Sequence, residues 1–188
     1  MRVAVYCDYP YRRDAGGAVY AEQAFAVFLF GLARHFERLV LVGRLEPEPG
    51  RFPYRLPAGV DFAELPHYAS LARPAEAMIG SLRALRSFWR VLGEVDAVWL
   101  LGPHPLAIVV APLAALRGKR VALGVRQDLV SYARTRRPDR RDIQFLARAL
   151  ELMYRGLARV FSVVAIGSDL AARYGGARRV LDATVSLV

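Results

Sequence analysis

Short runs that are apolar at nearly every position, each followed by a stretch of helical character, recur along the chain. They constrain its fold more than any other feature. Arg2–Cys7 (RVAVYC), Leu39–Gly43 (LVLVG), Asp96–Leu101 (DAVWLL), Arg120–Val125 (RVALGV) and Val160–Ile166 are of this kind. Val60–Leu65 is a weaker example and Arg179–Asp182 a last short one. A strand with one face in water alternates apolar and polar residues, whereas a strand buried on both faces does not. Helices are expected over Ala18–His35, Glu76–Gly93, His104–Arg117, Asp142–Ala158 and Ser168–Tyr174, between these runs.

Strand followed by helix, repeated, with strands buried on both sides, predicts an α/β fold. The expected form is a single Rossmann-like, three-layer α/β/α domain over residues 1–188 with a mostly parallel sheet. Ligands of such sheets bind outside the carboxyl ends of the strands. That places Asp8–Gly17, Leu101–His104, Arg126–Asp128 and Gly167–Ser168 on one rim. The Pro- and Gly-rich stretch Arg44–Gly59 reads as loop. No internal repeat or low-complexity segment interrupts the pattern.

The 188 residues are 55% hydrophobic and 23% charged, a globular composition with enough apolar surface for one core. The single cysteine, Cys7, excludes an internal disulfide and lies in an apolar run, as a buried inert thiol would. The apolar start of the chain stops at Asp8 with no cleavage pattern, so it does not read as a signal peptide. Ala24–Ala33 and Pro105–Leu116 are shorter than the ~20 residues of a bilayer span. A cytoplasmic chain is expected, with peripheral contact at the inner membrane face as an option. Net charge is +10, and Lys119 is the only lysine. Arginine suits bidentate contacts with phosphate and carboxylate, but it also accumulates for reasons of genome composition.

Gly16-Gly17 lies between the first strand and the first expected helix. A helix start offers N–H groups and partial positive charge to a phosphate, and glycine lets backbone approach closely. The same pair also fits an ordinary tight turn. A dinucleotide site needs G-x-G-x-x-G here and an acidic residue after the second strand. The loop instead reads DYPYRRDAGGAVY, and Gly43-Arg44 stands where the acid belongs; Arg44 would then face a 2′-phosphate. A P-loop is excluded because no G-K-[ST] occurs.

The order of strand, Gly-Gly loop, long helix and second strand, followed by VDAVWLLGPHP, KRVALGVRQD and FSVVAIGSDLAARY, resembles the N-terminal, acceptor-side domain of GT-B glycosyltransferases of the retaining family 4 group. The resemblance covers essentially the whole chain. It implies that Gly16 and Gly17, flanked by Arg13 and Asp14, lie near the diphosphate of a nucleotide-sugar donor. Gly102-Pro103-His104 falls on the rim. Arg126-Gln127-Asp128 stands where the family commonly carries a His-Asp pair near the reacting sugar. Asp128 matches the acidic member and the histidine is absent; Gln127 hydrogen-bonds but is no base near pH 7. The donor-binding domain with its paired glutamates is not found in this sequence, which ends VLDATVSLV, so the chain alone is expected to be inactive.

The catalytic candidates are therefore Asp128 and His104. Gly16 and Gly17 are the candidates for the donor phosphate, and Asp14, Arg126, Gln127, Tyr132 and Arg134 for the acceptor side of the rim. A capping or surface role is the plainer account of His104. Tyr132, Arg134, Arg136, Arg137, Arg140 and Arg141 form a basic, partly aromatic stretch that fits an acidic acceptor or a solvated loop. Arg83, Arg86 and Arg90 share a helical face, with Ile79, Leu82, Phe88, Trp89 and Leu92 supplying apolar area. That helix either lies on an anionic membrane or packs on the sheet. No cofactor and no metal are expected, since His35, His67, His104 and Cys7 show no ligand spacing. The expected partners are a sugar donor, an acceptor and the second domain, not nucleic acid. The alternative is a stand-alone binding module for a phosphorylated or anionic ligand or a partner chain.

Overall fold

The structure, a computed structural model, describes residues 1–66 and 74–184, with side chains of the second long helix from residue 83 onward. Among the described residues nine strands form one sheet. They are β1 (Arg2–Arg13), β2 (Val19–Ala21), β3 (Arg38–Leu45), β4 (Tyr54–Arg55), β5 (Val60–Leu65), β6 (Ala97–Gly102), β7 (Arg120–Val125), β8 (Ser162–Ile166) and β9 (Arg179–Ala183). The helices are α1 (Phe25–Ala33), α2 (Pro74–Glu94), α3 (Pro105–Leu116), α4 (Leu129–Arg136), α5 (Arg141–Ala158) and α6 (Ser168–Arg173). β5, β3, β1, β6, β7, β8 and β9 lie side by side in that order and run parallel. This order is doubly wound, as the expected Rossmann-like class implies, with its reversal between β1 and β6.

Apolar residues fill both faces. Ala4, Tyr6, Val98, Leu100, Leu123 and Val163 meet Phe88 and Leu92 of α2, Val110 of α3 and Tyr154 of α5 on one side. Val3, Val5, Leu39 and Leu41 meet Ala26 and Leu29 of α1 on the other. This is why β1 is apolar without alternation: both of its faces are roofed. Tyr154 is fully buried, and its hydroxyl donates to the Leu100 carbonyl at 2.7 Å, tying α5 to the centre of the sheet.

Two expectations at the N-terminus are corrected. β1 does not stop at Cys7 but continues to Arg13, so half of the expected loop is strand. The helix expected from Ala18 starts only at Phe25, because Val19–Ala21 turns back and pairs antiparallel with Tyr11–Arg13. Tyr54–Arg55 adds a further antiparallel rung in what read as loop. The hairpin buries Tyr11 and Ala21 completely. Residues with β-branched or aromatic side chains, partnered across strands, outweigh the helical pattern that follows them. The basic stretch after Asp128 is also not all loop, since α4 occupies Leu129–Arg136.

Tyr11 lies directly over Gly43, where an added Cβ would meet the ring at 2.1 Å. A buried ring between two strands cannot step aside, so Gly43→Ala overpacks this site. A loss of about 1–3 kcal/mol is expected, read as a lower urea midpoint with unchanged slope. An unchanged midpoint would show that Tyr11 is not packed there.

Candidate functional site

β1 pairs with β6 only from Val3 to Tyr6, opposite Ala97 to Leu100. Beyond Tyr6 the two strands part, and the β1–β3 register slips between Tyr6 and Pro10. The irregularity releases Cys7–Tyr9 from regular pairing, as bulges beside functional sites do. Asp8 therefore sits in the crevice at the reversal of strand order.

Two side chains converge on Asp8. His104 Nε2 lies 2.9 Å from Asp8 Oδ2, and Arg44 Nε donates to Asp8 Oδ1 at 2.8 Å. Each of the three side chains is about four-fifths buried, at 20%, 16% and 20% exposure for Asp8, His104 and Arg44. His104 is also the N-cap of α3: its Nδ1 accepts from Leu106 N–H at 3.2 Å and lies 2.8 Å from the hydroxyl of buried Tyr6. A backbone N–H can only donate, so Nδ1 is the lone-pair nitrogen and Nε2 carries the proton that faces Asp8. Burial pushes the Asp8 carboxyl up. The hydrogen bond from His104 and the charge and hydrogen bond of Arg44 outweigh it and hold Asp8 below the usual carboxylate value.

The two catalytic candidates have different partners. His104 meets Asp8, not Asp128. Asp128 is the N-cap of α4, accepting from Ser131 N–H at 3.1 Å and from the Ser131 hydroxyl, and it pairs with Arg173 at 2.5 Å. Asp8 and Arg44 were not singled out as site residues because their meeting needs β1, β3 and β6 to be neighbours, which no local pattern states. The available signal was an aspartate at the end of a buried first strand. Arg44 faces Asp8 here, which accounts for a cation at a position where a nucleotide site would carry an acid.

Gly16 and Gly17 lie at the tip of the β1–β2 hairpin, not before a helix. Asp14 Oδ1 accepts from the N–H groups of Gly16 and Ala18 at 3.0 Å each, and Gly17 takes φ 84°. The helix-start premise behind their phosphate role is therefore not met. Asp14 also takes the Tyr20 hydroxyl and Arg51, so it holds the turn together.

Arg126 leaves the end of β7 half-buried. Its guanidinium carbon lies 4.7 Å from the Tyr9 ring centroid and 5.0 Å from that of Phe25, and it donates to the Tyr9 hydroxyl. Its Nε is buried without a partner, and no carboxylate pairs with it among the described residues. Burial lowers its pKa, the mark of a cation lacking a counter-ion. Gln127 is exposed, and Arg134 is exposed on the last turn of α4.

A cavity of about 1040 Å³ opens beside His104 between α3, α4 and α5. Ile108, Leu129, Tyr132, Leu146 and Met153 give it apolar walls, and Arg136 and Arg137 add charge. Tyr132 belongs to this wall. Among the described residues no group of three or more His, Cys, Asp or Glu side chains is placed to hold a metal ion, and no helix is long and apolar enough to cross a membrane. Arg83, Arg86 and Arg90 are exposed on α2, but Phe88 and Leu92 are buried in the core and Arg117 stacks on Trp89 at 4.0 Å. The described part of that helix turns its apolar face to the sheet. Ile79, Leu82 and His67 lie outside the described side chains.

Cys7 is fully buried, and burial pushes its thiol up to about 12. It is expected to resist thiol reagents at pH 8 in the folded chain and to react once unfolded. A second expectation concerns Asp8. Its folded pKa is depressed, so its share of stability is complete above the unfolded value of ~3.9 and is lost as pH falls through the lower folded value. Asp8→Asn is expected to cost about 1–3 kcal/mol at pH 7, and the gap to the parent to narrow below about pH 4. Urea titrations at pH 7 and pH 3 measure both; a gap independent of pH would contradict the ion pair.

Comparison with protein-family models and with curated protein sequences finds no match. Solved structures do match. A UDP-glucosyltransferase from Polygonum tinctorium capable of glucosylating indoxyl, in complex with 3,4-dichloroaniline, is 15% identical with a TM-score of 0.56, over 98% of this chain and 51% of that one. Phytolacca americana UGT2, complexed with UDP-2fluoro-glucose and pterostilbene, is 12% identical with a TM-score of 0.60, over 97% of this chain and 52% of that one. The same protein without ligands gives 12% and 0.57, over 97% and 51%. The likeness is one of fold, and this chain spans about half the length of the chains it matches.

Proposed function

We propose that this chain is the acceptor-side half of a glycosyltransferase, which moves a sugar from a nucleotide-sugar donor to an acceptor hydroxyl. Turnover needs a second, donor-binding domain. The observation that carries the reading is the Asp8–His104–Arg44 cluster in the crevice where the strand order reverses. The fold shared with UDP-glucosyltransferases over about half their length supports it.

Sugar transfer joins an acceptor oxygen to the anomeric carbon while the bond from that carbon to the donor diphosphate breaks, its electron pair leaving on phosphate. Two charges need support. Positive charge grows on the attacking hydroxyl, and an ionised carboxylate that accepts its hydrogen bond both aims the oxygen and stabilises that charge. Asp8 is suited to this because His104 and Arg44 hold it ionised and fixed beforehand. His104 is a positioning residue in this scheme. Negative charge grows on the diphosphate, and Arg126 is a clamped cation without a carboxylate partner among the described residues. The resemblance to the retaining family 4 group makes retention of configuration part of the proposal, with the acceptor oxygen arriving on the face from which the diphosphate departs and its proton passing to the Asp8 carboxylate that accepts its hydrogen bond.

The test is nucleoside diphosphate release and acceptor glycosylation across a panel of nucleotide sugars, measured on the chain in its full protein context. Asp8→Asn is expected to lower kcat by roughly 100-fold with a smaller change in KM, and His104→Asn, which keeps the helix cap, to lower it less. Absence of transfer and of donor hydrolysis with every nucleotide sugar would overturn the reading.

A further inference from the structure

The cavity beside His104 is unusual in its walls. Val109 of α3, Tyr132 of α4, and Leu146 and Met153 of α5 line it and remain 44%, 49%, 64% and 50% exposed. Sugars offer hydroxyls, and a cleft for a sugar alone would present matching donors and acceptors. This one presents hydrocarbon, at a size that suits a whole small ligand rather than a gap in packing. α5 explains how the wall arises. Ala147, Tyr154 and Ala158 face the core, yet the apolar arc of the helix runs on past them through Leu146 and Met153. An arc wider than the core needs leaves apolar surface to be covered by something else.

The charges on this cavity have one sign. Arg136 and Arg137 line it and no carboxylate does. Neither arginine pairs with a carboxylate among the described residues: Asp142 pairs with Arg140 and Asp128 with Arg173, and Asp139, in the same turn, is exposed and forms no ion pair with either arginine. Gln144 Nε2 donates to the carbonyls of Arg137 and Pro138 at 3.1 and 2.9 Å, which fixes the turn that carries the cations. His104 borders the same cavity and holds Asp8 through its other edge.

We infer that this groove binds the acceptor, and that the acceptor is an anionic amphiphile. Its hydrocarbon part lies between α3, α4 and α5, its phosphate or similar anion meets Arg136 and Arg137, and its hydroxyl reaches Asp8. The role as acceptor rests on the sugar-transfer reading. The binding chemistry does not, so the two are tested separately.

The probes are hexyl, octyl and decyl phosphate below their micellar concentrations, inorganic phosphate, and octyl glucoside, titrated calorimetrically into the chain. Affinity for the alkyl phosphates is expected to rise about three- to fourfold per added methylene, with inorganic phosphate too weak to measure. Leu146→Glu is expected to weaken decyl phosphate at least tenfold. Leu146 is exposed, so the fold survives, and an unchanged circular dichroism spectrum checks this. The double substitution Arg136→Gln, Arg137→Gln is expected to weaken the alkyl phosphates several-fold and to leave octyl glucoside unchanged. Affinity independent of chain length, or binding that survives Leu146→Glu, overturns the inference. So does binding to phosphatidylglycerol vesicles without binding of any monomeric alkyl phosphate, since the surface would then be a membrane dock. Amphiphile binding without sugar transfer removes the transfer reading and leaves the groove standing. Transfer to a water-soluble acceptor, with no amphiphile bound, removes this inference alone.

Discussion

The bond between Asp8 and His104 joins the two strands that the sheet separates at its point of reversal. β1 and β6 pair as far as Tyr6 and Leu100 and then diverge. The side-chain pair bridges the gap at 2.9 Å, with Arg44 of β3 as a cation on the same carboxylate. His104 does three things at once. It caps α3, contacts the Tyr6 hydroxyl and faces Asp8. An ionised carboxylate this sheltered is stable only with partners in place. The geometry of the crevice, the start of α3 and the charge state of Asp8 are therefore one arrangement.

From that point the rim divides by chemistry. On the α1 side, Arg126 is held between Tyr9 and Phe25, a fixed cation at the end of β7. On the α3 side, the groove is apolar with Arg136 and Arg137 along it. Asp8 lies between an anion-seeking clamp and a hydrocarbon-lined groove.

Most of the fold was legible in the sequence because buried parallel strands announce themselves. Val60–Leu65 and Arg120–Val125 are strands with the same bounds as read, and α3, α5 and α6 differ from the expected helices only at their ends. The first thirty-odd residues were misread for an identifiable reason. Val19–Ala21 sits in an apolar run with helical spacing, and only its pairing with Tyr11–Arg13 makes it strand. That pairing also moved Gly16-Gly17 from a helix start to a hairpin tip. The site was half legible. Asp8, His104 and Arg126 fall on the rim by the strand ends they follow, although the meeting of Asp8 with His104 and Arg44 is not read from them. Asp8 and Arg44 become site residues only when three strands distant in sequence are set side by side. Asp128 follows the end of β7, and its partners, Ser131 and Arg173, which sequence spacing alone does not reveal, place it at the cap of α4.

The claim at the centre of this account is that Asp8 and His104 act as one unit. A double-mutant cycle in urea at pH 7 with Asp8→Asn, His104→Asn and the pair measures it directly, since asparagine keeps the cap of α3. The account predicts a coupling of about 1 kcal/mol or more between the two positions. Effects that add to within about 0.5 kcal/mol would contradict it and leave His104 as a helix cap alone.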